Sequence, residues 1–146
     1  MSATPFVIER TYDAPVEKVW KAITDIKQMK KWYFEDMEGF KPEVGTEFTF
    51  TGQSKDVIYY HICKVLEVEP LKKLKHSWRY KDHQGNSFVT WELFSSGNKT
   101  TVRLTHEGLE TFPATPAFAR TNFEKGWTQI VGTMLREWLE TEKVSK

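Results

Sequence analysis

The sequence contains a single cysteine, Cys63, so no internal disulfide can brace the fold, and such usage fits a reducing compartment. It also lacks charge of one sign: 21 Lys and Arg stand against 20 Asp and Glu, a net of +1. Gripping phosphate backbones or anionic membranes takes clustered, excess cations, so no nucleic-acid partner is expected. No run approaches the ~18 apolar residues of a membrane span. The opening Met-Ser-Ala-Thr-Pro-Phe lacks the basic-then-apolar order of a secretory leader, and the expectation is a soluble, cytoplasmic protein with no membrane insertion. Gly-rich phosphate loops, a Gly-x-Ser-x-Gly elbow, His-Glu-x-x-His and Cys-x-x-Cys are all missing. The sequence therefore indicates no cofactor, no metal site and no activated serine.

Aromatic side chains are abundant: 10 Phe, 6 Trp and 5 Tyr make up 14% of 146 residues. That length suits one domain over residues 1–146 with a full core. Each large ring buries on the order of 150–250 Å², and rings on a curved sheet fill a core or line a gap in it equally well.

The first apolar pattern, Phe6 to Tyr12, alternates as a strand does and stops at Asp13-Ala14-Pro15. Proline suits a helix start, with Asp13 close enough to cap it or favour its dipole. Val16, Val19, Trp20 and Ile23 then recur at helical spacing, and a second short helix is predicted over about Lys27 to Tyr33, with Lys27, Lys30 and Lys31 on its wet side. Trp32 and Tyr33 are adjacent, so on a helix one covers the core and the other the rim. Glu35, Asp36 and Glu38 read as a flexible acidic loop.

From Thr46 onward come five alternating runs: Thr46 to Thr51, Val57 to Val68, Lys73 to Tyr80, Phe88 to Phe94 and Thr100 to His106. The breaks between them are short, including one expected at Thr51-Gly52-Gln53-Ser54, so neighbours are antiparallel. Pro113 and Pro116 close a loop. Phe123, Trp127, Ile130, Val131, Met134, Leu135, Trp138 and Leu139 then mark a long amphipathic helix. Gly126 and Gly132 each cost that helix roughly 1 kcal/mol relative to alanine, so close approach to the sheet is expected to offset them. The predicted class is α+β, a curved antiparallel sheet wrapped around a C-terminal helix.

Among polar candidates, His76 keeps phase with Leu74 and Trp78, and His106 with Val102 and Leu104, so both rings aim inward. They are either bases or hydrogen-bonded core histidines, and the second reading is the commoner one. Cys63, two residues from His61, reads as a buried inert thiol. No catalytic residue is designated. The apolar phases Phe48 with Phe50, Trp78 with Leu74, and Trp91 with Val89 and Leu93 converge on the face that Phe123, Trp127, Ile130 and Met134 cover.

Four stretches together resemble a known family: Glu9-Arg10-Thr11-Tyr12-Asp13-Ala14-Pro15-Val16-Glu17-Lys18-Val19-Trp20, Val65-Leu66-Glu67-Val68-Glu69-Pro70, Val102-Arg103-Leu104-Thr105-His106-Glu107-Gly108, and Gly126-Trp127. The family is that of proteins related to the C-terminal domain of the activator of the 90-kDa heat-shock chaperone's ATPase, within the START-like (SRPBCC) superfamily. The resemblance implies the helix-grip architecture with a cavity between sheet and helix, and a structural role for Trp32. The expected lining is Trp32, Tyr33, Phe48, Phe50, Tyr60, His76, Trp78, Trp91, Leu93, Leu104, His106, Phe123, Trp127, Ile130 and Met134, with Tyr59 and Arg79 as further polar candidates.

Three functions follow, in order. The first is binding of a small apolar or aromatic molecule, as START-like relatives bind lipids, polyketides and plant hormones. The second is a chaperone cofactor, which the family name suggests, although the Asn-x-Asn-Asn-Trp-His-Trp stretch of eukaryotic activators does not occur here. An enzyme of the cyclase or hydrolase type ranks last. A monomer and a homodimer remain equally open.

Overall fold

The computed structural model describes residues 4–54, 57–113 and 118–144. Six antiparallel strands form one sheet: β1 (Phe6–Tyr12), β2 (Glu47–Ser54), β3 (Val57–Glu69), β4 (Lys73–Tyr80), β5 (Ser87–Ser96) and β6 (Lys99–Glu107), in the order β1-β6-β5-β4-β3-β2. Between β1 and β2 stand α1 (Val16–Thr24) and α2 (Ile26–Trp32), and the C-terminal helix comprises α3 (Arg120–Gln129), a π-helical turn (Ile130–Met134) and α4 (Leu135–Val144). This is the predicted helix-grip arrangement. No helix among the described residues is long and apolar enough to cross a membrane.

Alternation decides which face of each strand is buried. In β4, Leu74, His76, Trp78 and Tyr80 point inward, and in β6, Thr100, Val102, Leu104 and His106 do the same. A register shift between Val65 and Glu67, opposite His76 and Lys75, breaks the β3–β4 ladder. Such a bulge bends its strand and strengthens the twist that wraps the sheet around the helix.

The two short helices brace one end of that helix. Val19, Ala22 and Ile23 of α1 are buried, Lys18 Nζ donates to the Leu139 carbonyl at 2.9 Å, and Trp138 Nε1 donates to Gln28 Oε1 at 3.1 Å. The π turn has its own tether, since the buried Tyr12 hydroxyl donates to the Val131 carbonyl. A π turn re-aims the side chains on either side of it, and here it separates two helix segments with different tasks.

Several details differ from the sequence reading. Pro15, not Asp13, occupies the N-cap of α1, and no side chain caps it; the Asp13 amide instead donates to Glu140 at 3.3 Å. The expected turn at Thr51 to Ser54 is strand, because pairing of Thr51 to Ser54 with Tyr60 to Val57 extends the β2–β3 ladder. The acidic stretch is fastened rather than loose: the Thr51 amide and hydroxyl donate to Asp36, and Glu38 bridges Thr49. Pro116 lies outside the described residues.

Candidate functional site

A cavity of about 340 Å³ opens between α3 and the β2–β3–β4 side of the sheet. Its sheet wall is Gly52, Tyr59, His61, Trp78 and Tyr80. The helix wall is Asn122, Phe123, Gly126, Trp127 and Ile130, and Phe34 and Phe118 close the sides. The rings brace one another. Trp78 and Trp127 meet at 5.2 Å between centroids, Tyr80 and Phe118 at 5.1 Å, and His61 stacks on Phe50 at 4.5 Å. Gly52 makes room for that histidine, since a Cβ there would stand 2.9 Å from His61 Cε1. Among the described residues, none that line the cavity is Asp, Glu, Lys or Arg.

Behind the helix wall runs a chain of hydrogen bonds. Trp127 Nε1 donates to His106 Nδ1 at 2.9 Å, His106 Nε2 meets Ser87 Oγ at 2.7 Å, and Ser87 Oγ donates to the Trp78 carbonyl at 2.7 Å. An indole N–H only donates, so Nδ1 holds a lone pair and the imidazole proton sits on Nε2, donated to Ser87. The adjacency of serine and histidine therefore does not make a nucleophile and its base: the nitrogen facing Ser87 already carries the proton, and the serine proton is spent on a carbonyl. Burial pushes His106 down to about 3, with the neighbouring His76 adding to it. The ring is a neutral strut holding two tryptophans of the cavity wall.

The other buried histidines are neutral as well. Burial lowers His61 to about 4 against the opposing pull of the Phe50 and Tyr59 carbonyls and Asp36, and His61 Nδ1 donates to the Tyr59 carbonyl at 3.1 Å. Burial likewise takes His76 to about 4, with Nδ1 donating to the Ser77 carbonyl at 2.9 Å. Burial pushes the Cys63 thiol up, which leaves it a poor nucleophile. No three His, Cys, Asp or Glu side chains among the described residues come together as a metal-ligand set.

A family model described as Activator of Hsp90 ATPase homolog 1-like protein matches residues 13–140. The chain belongs to that family. No curated protein sequence matches it significantly. Among solved structures, MLL2253 from Mesorhizobium loti superposes with a TM-score of 0.75 at 30% identity, covering 94% of this chain and 98% of its own. CalU16 from Micromonospora echinospora gives 0.71 at 25%, over 92% and 73%. DynU16, from the dynemicin biosynthetic locus, gives 0.76 at 23%, over 94% of this chain and 48% of its own, so the chain spans about half the length of DynU16.

Within this member of the Activator of Hsp90 ATPase homolog 1-like family, the expected lining residues divide. Trp78, Phe123, Trp127 and Ile130 do line the cavity. Trp32, Tyr33, Phe48, His76 and Trp91 surround a separate void of only about 10 Å³. Leu93 and Leu104 are buried in the core, Phe50 stands behind His61, and Met134 is half-buried past the cavity's end of the helix. Tyr60 is corrected outright. It is exposed on the outer face, as is Arg79, because neighbours on a strand face opposite ways and Tyr59 and Tyr80 take the inward positions. Trp32 and Tyr33 are both buried, contrary to expectation. The helix ends at Trp32, so Tyr33 leaves helical geometry at φ −106°, ψ −83°, and the two rings stack at 5.0 Å.

Sequence reasoning missed Phe34, Gly52, His61, Tyr80, Phe118, Asn122 and Gly126 as lining. Two of them carried a signal: Tyr80 continues the inward phase of Trp78, and His61 that of Cys63 and Val65. Phe34 lies outside the strands and helices, and Phe118 has 3-10 geometry ahead of α3, so neither belongs to a run long enough to carry a period.

Proposed function

We propose that this protein binds a small, uncharged apolar or aromatic molecule in the cavity between the sheet and α3. The supporting observation is a roughly 340 Å³ space that the described residues wall with aromatic rings and without a charged side chain. Its volume lies at the lower end of the range typical of small-molecule sites, about 300–1,000 Å³. Water in such a space finds few partners, and an apolar ligand gains from its release. An ion would lose its hydration without a counter-charge to replace it.

Native mass spectrometry of the purified protein, followed by thermal-shift measurements against neutral aromatic compounds and their carboxylated or aminated counterparts, tests this reading. Neutral compounds are expected to stabilise in proportion to RT ln(1 + [L]/Kd), roughly 2.7 kcal/mol at a hundredfold excess over Kd, and charged counterparts much less. Indifference to every apolar compound overturns the reading and moves the assignment to a protein partner, such as the chaperone in the family's description.

A further inference from the structure

Among the described residues, every polar hydrogen deep in the cavity wall except one is spent inside the protein. Trp127 Nε1–H goes to His106, Trp78 Nε1–H to the Tyr80 oxygen at 2.9 Å, and the His61 Nδ1 proton to the Tyr59 carbonyl. Tyr59 is half-buried and Asn122 exposed, so water reaches both. The exception is Tyr80. Its side chain is 6% exposed, and its hydroxyl hydrogen has no acceptor among the described residues. Burial also holds its pKa above the ordinary phenol value, which keeps the group a donor at any physiological pH.

We infer that the ligand carries a hydrogen-bond-accepting oxygen on a flat uncharged ring system, a ketone or quinone carbonyl for instance, and that the Tyr80 hydroxyl donates to it. This rests on the ligand-binding reading above and narrows it. The Trp78 indole fixes the orientation of the phenol oxygen by occupying a lone pair, and accepting that bond makes the hydroxyl a stronger donor in turn. A buried donor left unpaired is costly, so a ligand that satisfies it is preferred over one of the same shape that does not. The walls on either side, His61 and Phe118, pack against the same phenol at 4.7 and 5.1 Å between ring centroids. A ligand beside this donor meets aromatic surface, which favours a flat ring system.

The test compares fluorene and 9-fluorenone, flat frames that differ by CH₂ against C=O, on the wild-type chain and on Tyr80→Phe. The ratio of the two affinities is expected to shift toward fluorene by roughly threefold to tenfold in the variant. The infrared carbonyl stretch of bound fluorenone should be lowered in the wild type and return toward its free apolar-solvent value in the variant. Should Tyr80→Phe fail to fold, having left the Trp78 indole without an acceptor, the wild-type carbonyl stretch decides alone. Fluorenone bound with an unshifted stretch, or an affinity ratio that Tyr80→Phe leaves unchanged, overturns the anchor while the binding reading stands. Failure of both compounds to bind the wild type overturns the two together.

Discussion

The same helix covers the same sheet at both ends, yet one end is filled and the other hollow. Under α4 and the π turn, Val131, Leu135 and Leu139 are fully buried, and the nearby void round Trp91, His76 and Tyr33 measures about 10 Å³. Under α3 the gap is about 340 Å³. The difference lies in what stands opposite. Helices α1 and α2 close the filled end, whereas at the open end Phe34 and Phe118 stand at the sides and Gly126 presents no side chain. The hollow end is built on the rigidity of the filled one, because Trp127 reaches from the cavity wall into the buried His106–Ser87 chain.

Acid is the bluntest way to break both ends together, since each holds a neutral buried histidine: His61 beside the cavity, His76 by the small void and His106 between them. Their folded pKa values of about 4, 4 and 3 lie below the unfolded value of 6.5. Above 6.5 both states are neutral and the full stability is present. Below it the unfolded chain takes up protons that the folded one refuses, so stability falls as pH drops toward 4. With three protons the slope reaches about 4 kcal/mol per pH unit at its steepest. The urea midpoint measured from pH 7 to pH 4.5 should show it, and a slope worth fewer than one proton overturns the neutral assignment.

Truncation separates the ends. Trp91→Ala leaves a sealed hole in the filled region and is expected to cost about 3–5 kcal/mol. Phe118→Ala merely enlarges a space already open, so the transfer term of about 1.5–3 kcal/mol remains without the cavity term. Phe118→Ala should also weaken the thermal shift produced by a bound aromatic probe, while Trp91→Ala leaves that shift in place. Chemical denaturation with and without probe checks both, and equal costs with equal effects on the probe would dissolve the distinction between the two ends.

This division was only partly legible in the sequence. Period two placed His76, His106, Trp78 and Trp91 on the buried face, and period three to four set Phe123, Trp127 and Ile130 against them, so the fold and half of one wall were readable. Periodicity says which way a side chain points and nothing of what meets it. Trp91 and Trp78 lie on adjacent strands and both point inward, yet one meets packed rings and the other a cavity. The decision is made by Phe34 and Phe118, which obey no period, and by Gly126, whose meaning is inverted. Close approach to the sheet was expected there, but a Cβ built on it meets nothing within 4 Å.

That glycine supplies the next test. Gly126→Ala should stabilise the helix by roughly 0.8–1.0 kcal/mol, because no neighbour objects to the methyl group. Gly126→Leu should keep most of that gain and shut out the aromatic probe, which distinguishes an opening kept for a ligand from a packing defect. Undiminished probe binding by Gly126→Leu would show that the opening lies elsewhere.

The smallest effect concerns the filled end, where the Tyr33 hydroxyl is the one buried side-chain oxygen or nitrogen without a hydrogen-bond partner among the described residues. Its pKa is raised well above the usual value by burial, then by Cys63 and Tyr80. An unpaired hydroxyl in such surroundings is a liability that Tyr33→Phe removes without changing the ring packing, so a gain of up to about 1 kcal/mol in the urea-derived stability is expected. The neighbouring void of about 10 Å³ stands at the lower limit for one water. A loss of stability in Tyr33→Phe would mean that a water sits there and bonds to the phenol. In that case the filled end is filled by a solvent molecule as well as by side chains, and the contrast with the cavity becomes one between a space sized for one water and a space sized for a ligand.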